Sequence, residues 1–338
     1  MKKLLYFLLL GAVMSSCSND FEVSAPWKEV PIAYGILSPR DTAHYVRIEK
    51  AFLDPTKSAL EIAQIADSLY FAENAISVWL ERPSTHARVQ MFRVDGNLEG
   101  HVRDQGIFAD QPNWLYKVKG GSLVPGEKYR LVIERSDGRA DVTAETTIPK
   151  DFTIITPDPS NIVRRVTFTY YQTTTVDWRC DEYGVYFNIF FIIPFREEAP
   201  NGDLILRDTL IWQAADNIER SGSQVGAGLY KGTSELSGSQ FFRFLADHLQ
   251  PTDNFRYFEK GSILLVGGGK EIQEFNITAS ANSGLTGAEV YPTYTNLSEG
   301  FGIFTAKNEF KLNNIVMSEI TIDSLKNHPL TQGLKFRL

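Results

Sequence analysis

Apolar and polar residues alternate with a period of two over much of this chain, and that rhythm predicts β-strands. From Val30 the run VPIAYGIL reads as a short strand. AHYVRIEKAF then sets Tyr45, Arg47 and Glu49 against Val46, Ile48 and Lys50, with SPRDT as the turn between the two strands. KSALEIAQIADSLY (57–70) breaks the rhythm. Ile62, Ile65, Ala66 and Leu69 recur there at helical spacing, which predicts one short amphipathic helix packed on a sheet and starting near Asp54-Pro55. Strands resume at AISVWLE (75–81) and ARVQMFRV (87–94), before an Asp95-Gly96 turn. Pro125-Gly126 then leads into YRLVIER, where Tyr129, Leu131 and Ile133 oppose Arg130, Val132 and Glu134. Asp137-Gly138 turns the chain into ADVTAETTI, its hairpin partner, and Pro149 ends the pair.

The second half repeats the β character with heavier aromatics. TPDPSN carries two prolines and marks a linker. After it come VRRVTFTYYQTTTVDW and the apolar run GVYFNIFFIIPF (184–195), which is rich in Val, Ile, Phe and Tyr and so reads as strand rather than helix. NGD turns into LILRDTLIW, and the Gly/Ser-rich stretch 214–240 reads as a long loop. SQFFRFLADHL places Phe241, Phe242, Phe244, Leu245 and Leu249 at helical spacing, behind Ser237 or Ser239 as the cap. GSILLVGG, IQEFNITAS, FGIFTAKNEFKL and GLKFRL complete the expected strands. The expected fold is mainly β. An N-terminal immunoglobulin/fibronectin-like β-sandwich spans 29–150, its final hairpin resembling those modules. A second β-rich domain with one or two short helices spans 151–338. The length of 338 residues suits two domains.

The first residues change the picture from a plain soluble protein to an anchored one. Lys2 and Lys3 precede an apolar run, Leu4 to Met14, too short for a span that needs about 20 residues. Ser15 and Ser16 then lead to Cys17, the layout of a secretory signal peptide. MSSC resembles a lipobox, which implies a signal peptide over 1–16, acylation of Cys17, and a lipidated tether over 17–28. Two or more acyl chains give durable membrane attachment. Ser18, Asn19 and Asp20 resemble the surface-export signal of Bacteroidetes lipoproteins, so the expected location is the outer membrane, facing the medium. The formal charge of −7 becomes −9 when Lys2 and Lys3 leave. No basic stripe appears, so nucleic acid is not an expected partner. With Cys17 acylated, Cys180 has no thiol to pair with and is expected to be a small buried hydrophobe.

No catalytic or metal-binding pattern stands out, and neither a cofactor nor a metal is expected. His44, His86, His101, His248 and His328 lie far apart and form no zinc spacing. Gly267-Gly268-Gly269-Lys270 follows a strand but lacks the GxxxxGK frame, and is expected to be a β-turn or bulge. No GxSxG elbow occurs. Thr42, Ser68, Thr209 and Ser324 each follow Asp and precede an apolar residue. They look like Bacteroidetes O-glycosylation acceptors, the competing reading being ordinary turn chemistry. Tyr291, Tyr294 and Phe301 cluster among Pro, Asn, Ser and Gly and are candidate ligand contacts, with packing as the competing role.

The lipobox, AYGILSPRDTAHYVRIEKAF, LVPGEKYRLVIERSDG and TNLSEGFGIFTA together resemble a family of Bacteroidetes outer-membrane surface lipoproteins without an assigned activity. Its members carry a "yG-L" strand, a "pG-xY-L" hairpin and a terminal "N-xx-GfG-F" segment. Their genes often neighbour TonB-dependent receptors. The resemblance implies a non-enzymatic binding or accessory component in nutrient capture, with a glycan or peptide as ligand and a TonB-dependent receptor as partner. A structural or adhesive envelope lipoprotein is the alternative, and an outer-membrane hydrolase the weaker one.

Overall fold

The computed structural model describes residues 29–51, 58–282 and 294–338. The described residues are mainly β, with large sheets and few short helices. Seven strands come first: β1 (Pro31–Leu37), β2 (Ala43–Lys50), β3 (Ile76–Arg82), β4 (Ala87–Asp95), β5 (Trp114–Lys119), β6 (Lys128–Arg135) and β7 (Val142–Thr147). Their spatial order is β1-β2-β5-β4-β3-β6-β7. The sheet folds over at β4, whose residues 92–95 pair with β5 while 87–91 pair with β3. One layer is thus β1-β2-β5 and the other β4-β3-β6-β7, a strand order of immunoglobulin/fibronectin-like sandwiches. Alternation explains the layering: Val46 and Ile48 in β2, and Tyr129, Leu131 and Ile133 in β6, all point inward and are buried.

The helix expected over 57–70 is two short ones, α1 (Ala59–Ala63) and α2 (Ala66–Leu69). Ser58 caps α1 by accepting from the Leu60 N–H, and Ile65 is extended between the helices. This break turns Leu69 and Tyr70 into a small cluster with Ala109. The start expected at Asp54-Pro55 lies outside the described residues.

Eleven more strands follow: β8 (Thr153–Thr156), β9 (Arg164–Val166), β10 (Thr173–Cys180), β11 (Tyr186–Glu198), β12 (Leu204–Glu219), β13 (Gln224–Gly226), β14 (Leu229–Ser237), β15 (Phe255–Phe258), β16 (Gly261–Gly268), β17 (Phe301–Met317) and β18 (Phe336–Arg337). Helices α3 (Gly238–His248), α4 (Lys270–Asn282) and α5 (Glu319–Asn327) lie among them. β13-β14-β10-β8 form a separate sheet. Its buried side chains meet the inward face of β11, Phe187, Ile189, Phe191, Ile193 and Phe195, in one aromatic-rich core. Cys180 is fully buried in that core as expected of a small hydrophobe, and burial pushes its thiol up to about 12.

Two readings of the second half need correction. The stretch 214–240 is not a long loop: the end of β12, with β13 and β14, occupies most of it. The inward positions of β14 include Gly232 and Ser234, so its alternation carries little hydrophobic signal. The segment after Gly267-Gly268-Gly269 is not a strand behind a simple turn but helix α4. Its Ile272, Ile277 and Thr278 favour strand locally, yet Ile272 packs over the Gly268 backbone and the helix docks on β17. Among the described residues after 150 the α-helices are α3, α4 and α5, few and short within a β-rich region. The helix expected at SQFFRFLADHL is present as α3, with Ser237 at its N-cap.

β17 ties the molecule together. Its first part pairs in parallel with β1, from Ile32 opposite Phe301 to Leu37 opposite Ala306. Its second part pairs antiparallel with β16, from Gly268 opposite Lys307 to Gly261 opposite Ile315. Just before β17, the Ser298 N–H donates to the Thr143 carbonyl (2.7 Å), and the Thr143 N–H donates to Ser298 Oγ (2.9 Å), so this run-in lies along β7. Asn296 clamps the turn: its amide donates to the carbonyls of Glu145 (3.1 Å) and Phe304 (2.7 Å) and accepts from the Phe304 N–H (2.9 Å). Gly300 and Gly302 have φ of +106° and +111°, and a Cβ on either would lie about 2 Å from a β1 carbonyl. The TNLSEGFGIF motif is thus a closure: it covers both open edges of the sandwich, β1 and β7. Leu297, Phe304 and Ala306 complete the first core.

Candidate functional site at the junction of the two cores

A cavity of about 450 Å³ opens where the end of β7 meets the start of α4. Thr147 of β7 forms one wall. Glu182 and Tyr183 come from the β10–β11 turn, Arg220 from just after β12, Tyr230 from β14, and Gly269, Lys270 and Glu271 from the glycine-led start of α4. Glu271 points toward the seam and accepts from the hydroxyls of Thr146 (3.2 Å) and Thr305 (3.3 Å). Burial pushes its carboxyl above the usual carboxylate range, against the pull of those two hydroxyls. The Arg220 guanidinium lies 3.5 Å from the centre of the Tyr230 ring. It donates to the carbonyls of Ser221 (3.0 Å) and Glu182 (3.3 Å). Lys270 pairs with Glu274 one turn along α4 (3.0 Å).

Chemically the cavity offers a guanidinium, an ammonium, two carboxyls, two phenols, a carboxamide and a threonine hydroxyl. That set suits holding a polar ligand by several hydrogen bonds. Among the described residues that line it there is no His, Ser or Cys. Among the described residues no group of three or more His, Cys, Asp or Glu is close enough to hold a metal ion.

The residues singled out in the sequence are dispersed. Cys17, Ser18, Asn19, Asp20 and Tyr291 lie outside the described residues. Tyr294 is half-buried beside α4, where burial and the adjacent Glu274 both push its phenol pKa up. Because Glu274 also holds Lys270, Tyr294 stands one helical turn from the cavity. Phe301, 47% exposed, shares the outer face of the β1/β17 pair with Tyr34 and Ile36. Of the candidate acceptors, Thr42 is exposed before β2 and Thr209 is exposed on β12, whereas Ser68 and Ser324 are half-buried in α2 and α5. Glu271, Arg220, Tyr183 and Tyr230 carry no sequence signature. The glycine run ahead of Lys270 was the one available signal, and it needed the helix behind it to be read.

No protein-family model and no curated protein matches the chain. Among the solved structures to which the chain is similar is a "Biofilm associated protein - BSP domain", aligned over 84% of this chain and 59% of its own, at 8% identity and a TM-score of 0.15. The chain thus spans less than two thirds of that structure's length.

Proposed function

We propose that this is a lipid-anchored binding protein of the outer membrane, facing the medium, which captures a polar ligand in the junction cavity and hands it to a TonB-dependent receptor. The address rests on the sequence: the signal-peptide layout, the lipobox ending at Cys17, and Ser18, Asn19 and Asp20 behind it. The resemblance to Bacteroidetes surface lipoproteins supports the receptor as partner. The cavity carries the binding part of the reading. Its volume lies in the range of small-ligand sites, roughly 300–1,000 Å³, and its polar groups converge from several separate elements. A glycan or peptide offers hydroxyls or amides to such groups. We read the role as binding rather than turnover, with Glu271 engaged by two hydroxyls and Lys270 by Glu274.

A structural or adhesive role is the second reading. It is favoured by the outer half of β12, where Leu204, Ile205, Leu206 and Ile211 are exposed on a strand that, among the described residues, pairs with β11 alone. Purification of the full chain from a mildly detergent-solubilised envelope tests the first reading. It expects acyl mass on Cys17 and a TonB-dependent receptor in the same complex. A lipidated protein recovered alone, beside other outer-membrane complexes that stay intact, contradicts uptake and favours adhesion.

A further inference from the structure

The turn between β9 and β10 presents an aromatic ring to solvent: Tyr171 is 91% exposed. A ring so bare usually sits on a mobile loop, but this turn is clamped. The Gln172 N–H donates to the Thr169 carbonyl (3.2 Å), and the Gly238 N–H at the start of α3 donates to the Gln172 carbonyl (2.9 Å). Gly238 comes so close that a Cβ there would lie 1.8 Å from the Thr169 carbonyl oxygen. On the other side, the Phe168 N–H donates to Thr321 Oγ1 of α5 (2.8 Å). Tyr170 stacks on His328 with ring centres 4.1 Å apart and meets Tyr171 edge-on at 5.0 Å. The backbone that carries Tyr171 is therefore fixed before any ligand arrives, with the ring resting edge-on against Tyr170, which lowers the entropic cost of binding.

Beside the ring lies a shallow hollow of about 490 Å³ floored by α5. Ile320, 61% exposed, continues the apolar surface, while Asp323 and Asn327, both exposed, line its polar side. Asn327 donates its amide to the Asp323 backbone carbonyl (2.9 Å), which fixes the position of its side chain. We propose that this hollow is a subsite for a neutral pyranose ring of a polysaccharide. A pyranose has an apolar C–H face that fits a flat aromatic ring and equatorial hydroxyls that fit a carboxylate and an amide. An aliphatic peptide side chain would leave Asp323 and Asn327 unused, whereas the Asp323–Lys326 pair (3.6 Å) leaves no net charge to select an ionic ligand. The subsite is separate from the junction cavity, so its failure leaves the reading above standing.

Calorimetric titration of the full chain in detergent with cellohexaose, maltohexaose, mannohexaose and xylohexaose tests it. At least one of these binds the native protein, and Tyr171→Ala weakens that binding about fivefold or more. Tyr171→Phe keeps it within about twofold, because the ring face is retained, and Asp323→Ala weakens it through the hydroxyl contacts. The exposed position makes both Tyr171 variants harmless to folding, which an unchanged Tm verifies. The proposal is overturned if none of the four sugars binds at millimolar concentration, or if Tyr171→Ala binds as tightly as the native chain.

Discussion

The two cores of this protein are built from different materials. The sandwich core is mostly aliphatic, with Phe71, Tyr116, Tyr129 and Phe304 as its aromatics. The second is a network of rings: Phe168 meets Phe191 and Trp212 edge-on at 5.6 and 5.5 Å, and Trp212 meets Phe241 at 5.2 Å. They differ in self-sufficiency as well. Every buried member of the aromatic core comes from residues 152–336, whereas the sandwich core takes Leu297, Phe304 and Ala306 from near the end of the chain. A sandwich whose edges stay open until β17 arrives depends on a long-range pairing, the slowest kind to form. The same strand brings α4 and β7 together, so the junction cavity exists only when both cores are complete.

The largest expected effect breaks this dependence. Gly302→Val puts a branched side chain at φ +111°, against the Ala33 carbonyl, and should destabilise the sandwich by about 5 kcal/mol or more in thermal melts. The second core has its own weak point in Arg256, whose Nε donates to Glu197 at 2.8 Å with both side chains nearly buried. Burial would raise the Glu197 carboxyl, but hydrogen bonds from Asn254, Arg256 and Thr252 hold it below its usual range. Arg256→Met should cost about 3 kcal/mol in denaturant unfolding by stranding that carboxylate, and adding Glu197→Leu should recover much of it. A variant that melts the sandwich without loosening the aromatic core, beside one that does the reverse, would sharpen the contrast.

Smaller effects follow from pH. His44, 2% exposed in the sandwich, makes no well-formed hydrogen bond. Burial holds its imidazole below the usual value, although Asp41 and the Gly121 backbone pull the other way. The unfolded chain takes up that proton more readily, so His44's contribution is complete above the unfolded value of about 6.5 and is lost as pH falls below it. Replacement by Phe should remove that part of the acid sensitivity from the Tm-against-pH curve. Glu271 has the opposite sign. Its raised folded pKa gives stability that is present below the unfolded value of about 4.3 and lost as pH rises through the folded one. Glu271→Gln should therefore raise Tm at pH 7 and leave it nearly unchanged at pH 4, by less than either core variant lowers it.

Much of the β architecture was legible because inward positions are large and apolar. Tyr129, Leu131 and Ile133 announce β6, and Phe187 to Phe195 announce β11. β14 was hidden because Gly232 and Ser234 face inward, and α4 because its β-branched residues favour a strand that its contacts with β17 override. FGIFTAKNEFKL reads correctly as strand, but nothing in it names β1 and β16 as partners, since register belongs to tertiary packing. The candidate site was less visible for the same reason. Lys270 and Tyr294 stand out in the sequence, whereas Arg220 and Tyr230 look like ordinary loop and strand residues until folding brings them to α4.

Native-state hydrogen exchange, comparing the Gly302→Val variant with the unmodified protein, tests the shared strand most directly. Amides of β1, β7 and the first part of β17 are expected to lose protection together, while β11, β16 and the rest of β17 keep most of theirs. Unchanged protection in β1 and β7, or an equal loss throughout the molecule, would contradict it.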